Sequence, residues 1–223
     1  MTSQGAPETQ DVADVIRNRK TTKMLSSGPL AERDRREVVE RLMEAAHWAP
    51  FHRACDSAHR EGDATGIQPW RMVALDSATC RKLGQSLPAE RAGKIPRMLA
   101  AADAMIQTTW LPNPPCKPLA EGQPFEPTLA NMEHIAAASA AIQNLLLAAT
   151  AEGIPNYWSS GGALLREPAA YATLGIPASE ILLGSIFLFP TDITSLPSSV
   201  EIVGSKLRDQ RSPQNTWSRW VEL

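Results

Sequence analysis

Near the start of the chain, Arg19-Lys20-Thr21-Thr22-Lys23 packs three cations and two hydroxyls into five residues. Lys and Arg supply charge, and Thr hydroxyls and backbone N–H groups supply directed hydrogen bonds, so the chemistry this run suits is clamping a phosphate. A solvated charge run is the plainer alternative. Late in the chain, Trp158-Ser159-Ser160-Gly161-Gly162 sets an aromatic ring and two hydroxyls beside a glycine turn. Between them, His52 opens a polar loop, residues 51–67, that closes on Gln68-Pro69-Trp70. Taken together these groups suit a pocket for something flat and phosphorylated. No nucleophile elbow, Walker loop, HExxH, paired-carboxylate signature or GxGxxG is present, so no catalytic side chain is assigned. His52, Cys55 and His59 lie among acids, but their spacing fits no ligand set, and no metal is expected.

The elements that must position these groups follow from periodicity. Residues 131–152 read as one long helix: helix formers dominate, no proline interrupts, and Gly153 stands at the C-terminal cap. The helix is apolar on nearly every face, which implies burial on all sides. Its uncharged run, residues 135–151, holds Ser139, Gln143, Asn144 and Thr150 and falls short of the ~20 apolar residues of a membrane span. A core helix packed against its own copy is the expectation. Asp11 caps a short helix carrying Val12, Val15 and Ile16 on one face, and residues 34–48 form a second amphipathic helix. Ser77 is read as the cap of a helix running to residue 87, and residues 95–102 as another. Strands are expected at 70–76, 104–111, 154–158 and 181–189, the last apolar on both faces and therefore central. Residues 112–127 are a proline-rich loop. The result is an α+β domain, a small sheet flanked by helices, spanning residues 11–190. Residues 1–10 are expected to be disordered, and 191–223 to be a polar, irregular C-terminal extension.

Bulk composition removes several classes. The 223 residues carry 22 Lys and Arg against 24 Asp and Glu, a formal charge of −2, so there is no basic footprint for nucleic acid. The first residues lack the basic and apolar regions of a signal peptide. Three widely spaced cysteines, Cys55, Cys80 and Cys116, argue for free thiols in a reducing cytoplasm.

The order of the pieces resembles the nitroreductase family of FMN-dependent oxidoreductases, in its compact branch. The matching pieces are the Arg19–Lys23 cluster, Ala45-Ala46-His47-Trp48-Ala49-Pro50, Gln68-Pro69-Trp70, Gln143-Asn144-Leu145-Leu146-Leu147-Ala148-Ala149, Trp158-Ser159-Ser160-Gly161 and Leu174-Gly175-Ile176-Pro177. The resemblance implies a nitroreductase-like fold and a homodimer with two FMN sites at its interface, the long helices packed across it. It implies that Arg19, Lys20, Thr21 and Lys23 hold the ribityl phosphate end, and that the partner contributes His52. Gln68 leads into the strand beside the ring, and Trp158, Ser159 and Ser160 lie against the isoalloxazine. NADH or NADPH would be the electron donor, and nitroaromatics, quinones or other conjugated molecules the acceptors, in ping-pong hydride transfer through flavin N5. A flavin-remodelling or reductive dehalogenase on the same scaffold, and a cofactor-free helical dimerisation protein, are the alternatives. The chain departs from the family pattern in three places. Arg-Lys-Thr stands where Arg-Arg-Ser or Arg-His-Ser is usual, which loses one bidentate fork. The loop 51–67 carries extra residues. Asp192 follows the last expected strand where a cation is usual, the nearest cations being Lys206 and Arg208.

Overall fold

A computed structural model describes residues 11–62, 64–88, 91 and 93–222. The expected disordered segment, residues 1–10, lies outside the described residues. Helix α1 (Val12–Asn18) starts at Asp11, whose carboxylate accepts a hydrogen bond from the backbone N–H of Ala13 at 3.1 Å. Of its apolar residues only Val15 is buried; Val12 and Ile16 are exposed. Strand β1 (Thr22–Leu25) follows at once, and then α2 (Arg36–His47), which buries Val39, Leu42 and Ala46 at helical spacing.

Strand β2 (Trp70–Asp76) runs directly into α3 (Ser77–Ser86). The cap is Asp76 rather than Ser77: the Asp76 carboxylate accepts from the Thr79 N–H at 2.7 Å. Ser77 already lies inside the helix, and its hydroxyl bonds both backbone groups of Arg33. Helix α4 (Ile95–Ala101) leads to β3 (Ala104–Trp110), every residue of which is buried. Helix α5 (Leu129–Ala151), β4 (Asn156–Ser159), α6 (Pro168–Leu174) and β5 (Ile181–Leu188) complete the main body.

The main sheet is antiparallel throughout, in the order β2-β3-β5-β4. The apolar β5 therefore has a strand on each side, as its two greasy faces require. Helices α2 and α5 cover one face in a core that includes Leu42, Ile106, Ile142, Leu145 and Ile186. Helices α3 and α4 cover the other, with Met24, Leu99, Met105 and Phe187. The C-terminal extension is more regular than its composition suggests. It forms β6 (Glu201–Gly204), which pairs antiparallel with β1. This small second sheet joins the first through a parallel bridge between Thr21 and Asn156.

Helix α5 has 23 residues and a mean hydropathy of 1.3, so length alone does not exclude a membrane span, contrary to the sequence estimate. Its place in the fold identifies it as a core helix. Ala138, Ala141, Ile142, Leu145 and Ala149 are packed under the sheet. Thr128 caps its start, and Gly153 ends it with a φ of 69°, the left-handed conformation glycine takes without strain. Burial is one-sided, however. Leu129 is 62% exposed and Met132 55%, and Ala136 and Gln143 continue an uncovered flank.

Asp103, 2% exposed, joins the segment before α2 to the start of β3. Its two carboxylate oxygens accept from Arg33 at 3.1 Å and Arg35 at 3.2 Å. Charge-assisted bonds contribute about 1.5–3 kcal/mol each, but both arginines are one-third exposed and can rehydrate. Asp103→Ala should therefore destabilise the fold by about 2 kcal/mol, within the range for charged hydrogen bonds, in urea unfolding with an unchanged m-value.

Candidate functional site

The bridge from Thr21 to Asn156 sets the basic cluster beside the start of β4, and Trp158-Ser159-Ser160 follows along the same strand. Two groups far apart in sequence thus share one edge of the main sheet. Arg19 is the C-cap of α1 and is half-buried. Because Thr22 lies opposite Gly204, the chain after β6 returns alongside the cluster. Arg208 donates from Nη1 to the Arg19 carbonyl at 2.7 Å, and from Nη2 to the Arg17 carbonyl. Burial, then the charges of Arg208 and Arg211, push the Arg19 guanidinium below its usual range. Cations held this close repel one another, and an anion placed between them relieves that repulsion. Lys206 remains exposed.

The cluster is split by its own strand geometry. Side chains alternate along β1, so Thr22 and Lys23 point to opposite sides of it. Lys23 places its ammonium over the Tyr157 ring, 4.5 Å from the centroid. Lys20, Thr21 and Thr22 line a cavity of about 410 Å³, shared with Thr150, Asn156, Ile193 and Ile202.

The turn after β4 is held from several directions. Ser159 is buried, and its Oγ accepts from the Gly161 N–H at 3.2 Å. Gly161 and Gly162 have φ of 86° and 62°, and a Cβ on Gly161 would lie 2.8 Å from Leu182. Arg166 donates to the Ser160 carbonyl at 3.0 Å and to the Leu182 carbonyl at 2.6 Å. Trp158 lies across β5 where Gly184 leaves room: a Cβ there would be 2.0 Å from the indole Nε1.

His52 and Gln68 are elsewhere. His52 is exposed, and Gln68 contacts His47, Nε2 to Nδ1, at 3.3 Å. Both belong to the segment that enters β2, the opposite edge strand of the sheet. Three strand spacings separate β2 from β4, about 14 Å at the usual ~4.8 Å per strand. A single protomer therefore brings Arg19, Lys20, Thr21, Lys23, Trp158, Ser159 and Ser160 to one edge and leaves His52 and Gln68 at the other. Among the described residues, no three His, Cys, Asp or Glu side chains are grouped to hold a metal ion.

Arg166 and Gly184 escaped the sequence reading, and Arg208, named there with Lys206 as a nearest cation, could not be placed by it. Arg208 carried no local signal, because only the β1–β6 pairing brings it back. Arg166 sits in a short 3-10 turn, Leu164–Arg166, with no motif around it. Gly184 did have one: a lone glycine inside an apolar strand marks a close approach by another group.

The model of the nitroreductase family matches residues 16–188, and the chain belongs to that family. No curated protein sequence matches it. Among solved structures it is similar to a nitroreductase-like family protein from Bacillus cereus, at 21% identity and a TM-score of 0.64, covering 98% of this chain and 100% of the other. It is also similar to a nitroreductase with bound FMN from Bacteroides fragilis, at 15% identity and a TM-score of 0.56, covering 96% and 100%. A third, a nitroreductase with bound FMN from Desulfitobacterium hafniense, shares 17% identity at a TM-score of 0.52, covering 96% and 100%. The fold is thus the nitroreductase-like α+β fold.

The Trp158–Gly184 contact sets a direct expectation. Gly184→Ala must expel the indole from its place, at about 1–3 kcal/mol, the usual range for overpacking. The tryptophan emission should shift to the red, and in a Trp158→Ala background Gly184→Ala should cost little further stability, because the clash is gone.

Proposed function

We propose that this protein is an FMN-dependent oxidoreductase that works as a homodimer with two shared flavin sites. The observation that carries the reading is the edge bearing Arg19, Thr21 and Arg208 at one end and the Trp158–Gly162 turn at the other. The first end suits a phosphate and the second the edge and face of a flat ring, so the residues fit FMN. Arg208, brought back by β6, supplies the cation that Asp192 does not. Lys20, which lines the adjoining cavity with Thr21, adds positive charge there. Trp158 offers an apolar wall and Ser160 a hydroxyl, while Ser159 and Arg166 hold the turn in shape. His52 and Gln68, stranded at the far edge, reach a flavin when a second copy presents them. The uncovered flank of α5, extended by the exposed Val12 and Ile16 of the adjoining α1, is the surface we assign to that second copy.

Bound FMN would accept electrons from NADH or NADPH and deliver them to a nitroaromatic, a quinone or another conjugated acceptor. The chain's own residues bind and orient; none is needed as a nucleophile, and the protons can come from solvent. The free thiols Cys55, Cys80 and Cys116 suit a reducing cytoplasm, where we place the protein.

Absorbance decides the first part. The purified protein should be yellow, and should bleach when NADH or NADPH is added without air. A colourless protein that takes up no added FMN would leave the cofactor-free dimerisation reading. Replacing Arg19 and Arg208 together by Ala should raise the FMN dissociation constant about a hundred-fold or more, two charge-assisted bonds at about 1.5 kcal/mol or above each. Sedimentation at micromolar concentration checks the assembly: a single dimeric species is expected, and a monomer retaining flavin would refute the shared site.

A further inference from the structure

Two loops flank the start of α5, residues 51–67 and the proline-rich residues 112–128, and each has its own anchor. For the first it is Arg71 on β2. Its Nη1 donates to the carbonyls of Gln68 and Trp70, both at 2.8 Å, and its Nη2 to those of His59 at 2.8 Å and Gly66 at 2.9 Å. Arg53 adds an ion pair to Glu133 on α5 at 2.6 Å. For the second loop the anchor is Asn131, which is 0% exposed. Its Oδ1 accepts from the Asn113 N–H and its Nδ2 donates to the Glu126 carbonyl, both at 2.8 Å. One bond passes between the loops: the His59 ring and the Pro112 carbonyl meet at 2.7 Å. A carbonyl can only accept, so Nε2 of His59 carries the hydrogen and donates it.

We infer that His59 couples the two loops into a single wall of the acceptor site, and so acts as a positioning residue that sets which acceptors enter. This rests on the proposed flavin site, since His52 and Gln68, which open and close the first loop, are the residues sent to the partner's flavin. A guanidinium that satisfies four carbonyls fixes the two sides of the first loop together, and the loop's interior is filled by the buried Cys55. Any displacement large enough to widen the site must break the bond to Pro112 or carry residues 112–128 along. The second loop brings Phe125, edge-on to Trp110 at 4.9 Å between centroids, and the first brings Phe51, edge-on to Trp70 at 5.7 Å. Both phenylalanines pack against the main core, so the coupled loops are seated on one rigid support.

The test compares the full-length protein with His59→Ala and with His59→Gln, whose side-chain amide can still donate to Pro112. Amide hydrogen exchange of residues 51–67 and of residues 112–128 should rise together in His59→Ala, about five-fold for the loss of one ordinary hydrogen bond, and fall back in His59→Gln. Exchange in β3 and β5 should not change. The FMN dissociation constant should also hold, while KM for a bulky nitroaromatic changes and kcat for a small quinone stays constant. Faster exchange confined to residues 51–67 would overturn the coupling. Coupled exchange with identical acceptor profiles would overturn the acceptor role. Should the native protein bind no FMN, the proposed function and the acceptor role fall together, whereas the exchange result judges the coupling by itself.

Discussion

A four-stranded open sheet has two edges, and this chain puts part of its candidate site on each. The constraint comes from the order β2-β3-β5-β4. The buried β3 and β5 must be central, because their side chains on both faces need cover, and that pushes β2 and β4 apart. Everything else about the site follows. The basic cluster joins β4 through one bridge at Thr21 and Asn156, and β6 then pairs with β1 and returns Arg208 to the cluster. The loop that begins with His52 is tied to β2 through Arg71, and cannot reach its supposed neighbours within one protomer.

Much of this was legible because a few signals are local. Helix α5, Leu129–Ala151 in the structure, was read as residues 131–152 because Gly153 punctuates its end and no proline intervenes, while the Thr128 cap at its start was missed. The central place of β5 followed from its unbroken apolar run. What escaped was set by pairing rather than by pattern. Strands β1 and β6 have four residues each, too few for a period, and they exist because they face each other. The cap misassigned to Ser77 shows the limit of one-residue reasoning: Asp76 and Ser77 are both good caps, and what decided was that the Ser77 hydroxyl was already engaged by Arg33. The cluster from Arg19 to Lys23 was visible as composition. Its division between two sides of a strand was not, since the sequence suggested a helix end and nothing beyond it.

Arg208 and Arg71 show the same chemistry put to two uses. Each spends its guanidinium on backbone carbonyls, Arg208 at the end of α1 and Arg71 across the loop that enters β2. The difference lies in what surrounds them. Arg208 stands beside Arg19 and Arg211, so its charge adds to a cationic surface. Arg71 faces the buried Glu180. That carboxyl is raised above its ordinary range by burial, against the Thr109 hydroxyl bond and the charges of Arg71 and His59. The first arrangement has charge left for a ligand, and the second is largely spent within the protein.

The exposed flank of α5 gives the last physical constraint. A helix this apolar is stable in water only if both sides are covered, and the sheet covers one. Leu129, Met132 and Ala136 on α5, with Val12 and Ile16 on α1, lie uncovered on elements that pack against each other. They form one apolar flank rather than singly scattered surface residues. The same protomer leaves its candidate site divided between two sheet edges. The second copy proposed above would meet both at once: it would cover the apolar flank, and by symmetry would send its own His52 edge toward this protomer's Trp158 edge while receiving the converse. In that proposed assembly burial and site completion would be one event, and the stability of the assembly would be coupled to the binding of its cofactor.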